Sequence, residues 1–331
     1  MVKDSRFLQA LRAENRGRPP VWLMRQAGRY LSSYRKLRSR YTLSEMFHTS
    51  DLIEEVTMLP VDELGVDAAI LFSDILLPLE HIGFSVEYEK GPKVKASLCK
   101  EEEVSMEERF SFLTSAIVNL KKRLSVPLLG FAGAPFTIAS YVLDHDKHHL
   151  LQKTKQALYQ TPSTFFSLLD RLADLVIAYL HRQIRAGVDV VQIFDSWAGV
   201  LEEEQFAKCS VHYLHKIIEA IRPTKVPVIV FCRGSSLFAE QLAHLKPNGI
   251  SFDWHRPLDK LKTQVPYPIA IQGNLDPDVL KAPFAEITRK TKQMLSFMEG
   301  ERRFIAGLGH GVTPEISEEA VKCFVSTVQE S

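Results

Sequence analysis

No stretch of the 331 residues approaches the roughly 20 consecutive apolar positions that a bilayer-crossing helix needs. The opening MVKDSRFLQALRAENRGRPP is broken by charge every few residues and lacks the apolar block of a secretory signal, so a soluble cytoplasmic protein without membrane insertion is expected. Cysteine is scarce. Cys99, Cys209, Cys232 and Cys323 stand far apart with no CxxC pair, which excludes a disulfide framework and a zinc knuckle and points to reduced, structural thiols. Net charge is nearly absent as well, at +1 with a pI near 7.7. Together with the lack of a zinc-finger spacing or an RNA-binding aromatic motif, this disfavours nucleic acid as a partner. There is no low-complexity tract, interdomain linker or internal repeat. What remains is an ordinary globular composition, 45% apolar and 24% charged, enough for one large barrel or two average domains.

The near-zero total hides an asymmetry. The first forty-one residues carry eleven Lys and Arg against Asp4 and Glu14 alone, a local balance of +9, and the other 290 carry −8. Nine of those eleven are Arg, set among Trp22, Met24 and Tyr30. A solvated basic face usually favours Lys. Arg embedded among aromatics suits planar anions, because a guanidinium stays charged and grips a carboxylate or phosphate through two parallel hydrogen bonds. In PVWLMRQAGRY, at 20–30, Arg25 and Arg29 lie four apart and are expected to share a helical face, with Arg38 further on. A ligand bearing several negative groups is the first inference.

Eight short apolar runs read as strands: 20–24, 67–73, 126–132, 188–194, 226–231, 249–253, 268–272 and 303–308. Helical patterns separate most of them. Continuous apolar strands alternating with helices mark a parallel sheet covered on its faces, and eight such units predict an α/β chain folded as a single (β/α)8 barrel over residues 1–331, with an open doubly wound sheet as the fallback. Thr42-x-x-Glu45 reads as a capping box, and Asp276-Pro277 and Thr313-Pro314 as N-caps followed by Pro. The last helix is expected to bury Ile316, Ala320, Val321, Phe324, Val325 and Val328. Residues 75–100 fit neither period and read as a βα-loop insertion turning at Gly91-Pro92.

Barrel active sites are built at the carboxyl ends of the strands. Here those ends carry Arg25 and Arg29, Ser73-Asp74, GFAGAPFTIASY with Tyr141, Asp195-Ser196-Trp197, Cys232-Arg233, Asp253-Trp254, Gln272-Gly273-Asn274 and Gly309-His310-Gly311. Not every one is functional. An Asp after a strand is commonly a helix cap, which is the better reading of Asp276. Asp74 differs, because Ile75-Leu76-Leu77-Pro78 follows it, and a carboxylate among apolar neighbours needs a cation or N–H donors. Ser196 lacks the GxSxG setting of an acyl nucleophile. The glycines around His310 allow close approach of a ligand, so phosphate binding is an alternative for that loop. The run Asp144-His145-Asp146-Lys147-His148-His149 resembles a metal cluster only superficially, and His212 and His215 read as helix-surface residues.

Taken in order, PVWLMRQAGRY, LFSDIL at 71–76, GFAGAPFT at 130–137, IFDSWAG at 193–199, IQGNLDP at 271–277 and GLGHG at 307–311 resemble the uroporphyrinogen decarboxylase family of haem biosynthesis. The resemblance spans nearly the whole chain, and MRQAGRY followed by the others is highly specific. It implies a barrel, usually a homodimer, that uses no metal or organic cofactor and converts uroporphyrinogen III to coproporphyrinogen III by removing four acetate carboxyl groups. By positional match Asp74 faces the macrocycle centre and stabilises its protonated form. Arg25, Gln26, Arg29 and Arg38 are implied at the substrate, with Tyr141, Ser196 and His310 as further polar contacts. Arg25 is a candidate proton donor, although a guanidinium with a pKa above about 12 is a reluctant acid, and Asp74 would lose its anionic role by donating. Phe136 stands where many relatives carry Trp.

Two rivals remain. A methyltransferase of the same barrel type would hold zinc through a His-x-Cys pair, but Val230 stands where that His belongs before Cys232. A nonenzymatic anion-binding module would use the N-terminal charge alone and would bind nucleic acid with a steep salt dependence that does not involve Asp74.

Overall fold

The computed structural model describes residues 2–88, 91–96, 104–144 and 151–331. Seven parallel strands follow one another around a curled sheet: β1 (Ala69–Ile70), β4 (Leu128–Gly133), β5 (Val190–Asp195), β6 (Val228–Cys232), β7 (Gly249–Ser251), β8 (Ala270–Leu275) and β9 (Phe304–Leu308). Between β1 and β4 a separate antiparallel pair, β2 (Phe84–Glu87) and β3 (Lys93–Ala96), forms the insertion expected in 75–100, with Gly91 at φ +97° between its strands.

The eighth expected strand, 20–24, closes the barrel without forming a ladder. Its one bridge is Val21 with Ala306. Ala306 N–H donates to Pro20 O at 2.8 Å on one side, and Asp67 N–H donates to Val21 O at 2.8 Å on the other. Side chains explain why regular pairing stops. Pro19 and Pro20 have no N–H to give. The Val21 N–H goes to Asp67 Oδ2 at 2.8 Å, and the Leu23 N–H goes to Gln26 Oε1 at 3.2 Å. Asp67 is held in turn by both guanidinium nitrogens of Arg18, at 2.7 and 3.0 Å. The strand expected over 67–73 likewise shortens to β1, where Phe72 N–H donates to Thr57 Oγ1 instead of to a neighbouring strand.

The barrel interior is filled by Trp22, Met24, Ala68, Leu129, Val190, Ile229, Phe231, Ala270 and Ile305, all buried. Helix Arg6–Leu11 closes the amino end, with Phe7 edge-on to Trp22 at 6.4 Å between ring centroids. Outside, helices such as Pro162–Ala186 pack their apolar stripe on the sheet. The Thr42/Glu45 capping box is present on helix Leu43–His48. Asp276 caps a 3-10 turn, Pro277–Lys281, by accepting from Asp278 N–H. Thr313-Pro314 does not start a helix: the last helix is Glu318–Gln329, capped by Ser317, whose side chain accepts from Ala320 N–H. Its expected apolar face is buried, with Ile316 joining that face from the preceding turn.

Candidate active site at the carboxyl mouth of the barrel

Residues 25–31 form turns where the sequence suggested a helix carrying Arg25 and Arg29 on one face. Arg25 has φ +58°, a conformation uncommon for a residue with a side chain, which Ala13, Leu151, Lys225 and Lys246 also adopt. The turn is held by Gln26, which is buried: its Oε1 accepts from Leu23 N–H, its Nε2 donates to Ala68 O at 3.1 Å, and its own carbonyl accepts from the Tyr30 hydroxyl. The Gln26 amide is therefore spent on backbone, where it stands in for the ladder bonds missing between 20–24 and β1. Its geometry is that of a loop clamp, not of a ligand contact.

Arg25 itself is exposed, and no acidic side chain lies within 4 Å of it among the described residues. Its charge is felt by Asp74 and His310, from the loops after β1 and β9, and by Tyr141, on helix Pro135–Leu143 after β4. Arg29 is also exposed and acts electrostatically on Tyr34 and Glu315, and Arg38 acts on the same Tyr34 while donating to Tyr41 O. Arg233, exposed directly after β6, adds a further cation whose charge reaches His310.

Asp74 follows β1 and accepts from Leu76 N–H at 2.8 Å through Oδ1. Burial pushes its pKa up to about 6, against the pull of the Leu76 N–H, Arg25 and Tyr88, while Glu80 pushes the same way as burial. A carboxyl poised near neutrality in a cleft is a functional-site signature. His310 is pushed the other way: burial first, then Arg25 and Arg233, hold its pKa down to about 4, so the imidazole is neutral at pH 7. Its ring stands edge-on to Phe231 at 5.8 Å. Tyr141 packs edge-on to Trp197 at 6.2 Å, and burial raises its pKa, so it acts as a neutral phenol. Ser196 is half-buried beside Trp197.

Two strand-end acids are structural hubs. Asp195 is buried and accepts from Thr137 Oγ1 at 2.6 Å and Ser210 Oγ at 2.5 Å, and burial raises its pKa to about 6. Asp253 accepts from the backbone N–H groups of Gly234 and Ser236 and pairs with His255 Nδ1 at 2.8 Å. Both tie neighbouring βα loops together. The residues missed from sequence are Glu80, Tyr88 and Tyr179, which surround Asp74 from the insertion and from helix Pro162–Ala186. No local motif marks them.

The basic N-terminal segment is not one entrance. Arg6, Arg12, Arg16 and Arg18 lie at the amino end of the barrel: Arg6, Arg12 and Arg16 line a concavity with Tyr267 and Arg302, and Arg12 and Arg18 pair with Glu14 and Asp67. Only the cations after 24 reach the mouth. His212 and His215 are exposed on helix His212–Ile221, as expected. The histidines of 145–149 and Cys99 lie outside the described residues.

The uroporphyrinogen decarboxylase (URO-D) family profile matches residues 2–331. The chain belongs to the uroporphyrinogen decarboxylase family. Among its relatives, the uroporphyrinogen decarboxylase of Protochlamydia amoebophila is 47% identical over 335 residues, covering 99% of this chain and 92% of that protein. That of Thermus thermophilus is 39% identical over 332 residues, covering 98% and 97%. In structure, a methyltransferase from Methanosarcina mazei superposes with a TM-score of 0.81 at 18% identity, covering 98% of this chain and 97% of that one, a likeness of fold alone. The family's sequence order thus sits on a barrel shared with other chemistry. What separates this member from a thiolate-zinc site is the residue set: Val230 precedes a fully buried Cys232 whose thiol pKa is pushed well up by burial, with Asp195 and Asp253 adding to it. No three His, Cys, Asp or Glu side chains converge on one point among the described residues.

Proposed function

We propose that this mouth decarboxylates uroporphyrinogen III stepwise to coproporphyrinogen III, a carboxy-lyase reaction in which the substrate supplies its own electron sink. The observation that carries the reading is the pairing of one desolvated carboxyl, Asp74, with the exposed guanidinium of Arg25 held beyond ion-pair distance, while Arg29 and Arg38 extend the positive charge around Tyr34. A flexible tetrapyrrole with eight carboxylates needs that distribution: an acceptor at the centre for pyrrole N–H groups and guanidinium groups at the rim for the acid arms.

In each cycle a pyrrole ring carbon takes a proton, giving an iminium-like ring. The bond between the acetate methylene and its carboxylate then breaks, carbon dioxide leaves, and the electron pair flows into the ring. Protonation of the resulting exocyclic carbon and loss of the ring proton give the methyl group. The net change is one proton in and one carbon dioxide out, four times. Asp74 as carboxylate stabilises the cationic ring. An opposite charge about 4 Å away in an effective dielectric near 20 contributes roughly 4 kcal/mol, an upper guide since part of it also binds the ground state.

In this reading Arg25, Arg29 and Arg38 hold acetate and propionate arms, with Arg25 nearest the reacting ring and the candidate proton donor. Tyr141, Ser196 and neutral His310 offer uncharged hydrogen bonds. Gln26 holds Arg25 in place. The proposal extends to one barrel unit per chain, paired as a cytoplasmic homodimer and working without metal or organic cofactor. Its support is the family resemblance and the fit of Asp74 to a cationic macrocycle.

The test is to give metal-depleted protein anaerobic uroporphyrinogen III and follow products by mass. Four successive losses of carbon dioxide ending at coproporphyrinogen are expected. No loss, under conditions where an active control enzyme works, would overturn the reading, and activity that returns only with zinc would favour the methyltransferase type of site.

A further inference from the structure

Two buried hydroxyls close to Asp74, on Ser73 and Tyr88, make no hydrogen bond within normal geometry among the described residues. Buried polar groups are nearly always paired, so an orphan beside a reactive carboxyl calls for an explanation. Ser73 adjoins Asp74 in the chain and lies near the Tyr179 hydroxyl. Tyr88 is brought there by the fold. It directly follows β2 of the insertion, and its ring is wedged edge-on against Phe47 at 5.0 Å, while Phe47 also packs on Phe72 at 4.9 Å, two residues before Asp74. β2 follows directly on the 3-10 turn Leu77–Ile82 that leads away from Asp74. The Leu76 N–H occupies Asp74 Oδ1, and no hydrogen bond reaches Oδ2 among the described residues.

We propose that the Tyr88 hydroxyl is the donor that completes Asp74, a positioning residue that keeps this carboxyl anionic so that the macrocycle meets an acceptor rather than an acid. The inference rests on the uroporphyrinogen reading of the mouth and gives the insertion a task within it. The charge balance around Asp74 shows why a donor is needed. Burial and Glu80 favour the protonated carboxyl, while the Leu76 N–H, Arg25 and Tyr88 oppose them. His48 Nε2 lies 2.9 Å from Glu80 Oε2, a contact that raises the His48 pKa, and Tyr141 and Tyr179 face Asp74 as neutral phenols. Burial, reinforced by Asp74 and Glu80, suppresses ionisation of Tyr88, so it remains a donor throughout the working range.

Tyr88→Phe keeps the ring against Phe47 and removes only the hydroxyl. Two readouts are measured. In protein carrying carbon-13 at the Asp carboxyl groups, with Asp74→Asn assigning the signal, the titration midpoint of Asp74 without substrate is expected to rise by about one pH unit, the worth of one hydrogen bond to a charged group. The acidic limb of kcat/KM is expected to move up by the same amount, so that activity lost near pH 6 returns near pH 8. A midpoint unchanged by Tyr88→Phe would overturn the proposal, and so would a loss of turnover equal at every pH with an unmoved limb. A midpoint that Tyr88→Phe raises, while the wild-type protein is inactive toward uroporphyrinogen, would uphold the coupling and overturn the substrate reading alone.

Discussion

The side chain of Arg25 lies across Gly311: a Cβ built on Gly311 would stand 2.6 Å from Arg25 Cδ and 2.8 Å from its Cγ. The loop after β9 thus gives up a side chain to let the guanidinium of the first loop cross the mouth between Asp74 and His310. Backbone joins the same two loops, since Val312 N–H donates to Met24 O at 3.0 Å. Gly311→Ala is expected to leave the fold intact but displace Arg25, lowering kcat/KM by about tenfold to a hundredfold, the usual cost of misplacing a catalytic group by an ångström. Steady-state kinetics beside a melting curve check this, and normal kinetics would show that Arg25 needs no such track.

Asp74→Asn separates function from stability. With a folded pKa near 6, above its unfolded value, Asp74 contributes stability that is fully present below the unfolded pKa and is lost as pH rises through about 6. Ionising it within the fold costs up to about 3 kcal/mol. The Asn variant is therefore expected to melt no lower than wild type, and higher above pH 6, while losing most turnover. Near-normal turnover in this variant would remove Asp74 from the mechanism.

Arg29 has no acidic side chain within 4 Å among the described residues and lies on the rim. Losing a charge-assisted contact to a substrate carboxylate there is expected to raise KM by about tenfold while kcat changes little, since the contact exists in ground and transition states alike. Saturation curves of Arg29→Ala at low and moderate salt test it. A fall in kcat at unchanged KM would place Arg29 in the chemical step.

His310 is expected to titrate near pH 4, as an NMR pH series of its ring signals will read. Its depressed pKa means the fold favours the neutral ring, so its stability contribution is present above about pH 6.5 and lost as pH falls toward 4. No limb of the activity profile between pH 5 and 8 should belong to His310. A midpoint near 6.5 would contradict the desolvated position described here.

Thr137 supports Asp195 and at the same time accepts from Trp197 N–H at 3.1 Å, so one hydroxyl joins the loops after β4 and β5. Thr137→Val keeps the shape but leaves a buried carboxyl with one donor fewer. A loss of about 1–3 kcal/mol is expected, read from denaturant unfolding. An unchanged midpoint would mean that Ser210 alone satisfies Asp195.

Much of the barrel is legible locally. A buried parallel strand is a short continuous apolar run, so β4, β5, β6, β8 and β9 appear as such in the sequence, and the reactive residues at their carboxyl ends announce one mouth. Asp74 is legible because a carboxyl followed by apolar residues calls for a polar partner, although in the structure its Oδ1 also accepts from Leu76 N–H, as Asp276 accepts from Asp278 N–H. The ordered motifs that join these ends determined the family. What the sequence alone could not determine was distance. Residues 20–24 run the height of the barrel, about 16 Å at strand rise, so the cations before and after them part to opposite ends although they read as one cluster. Side chains that compete for backbone hydrogen bonds, Asp67 and Gln26 above all, turned an expected strand into a bridge and an expected helix into a turn. Thr313-Pro314 carries the letters of a cap, but the chain begins its helix four residues later, where Ile316 is already buried. The separation of Asp74, a mouth carboxyl, from Asp195, a core hub, and the arrival of Tyr88 at Asp74 belong to tertiary packing alone. They depend on which buried donors meet which acceptors across the chain, and no local pattern encodes that.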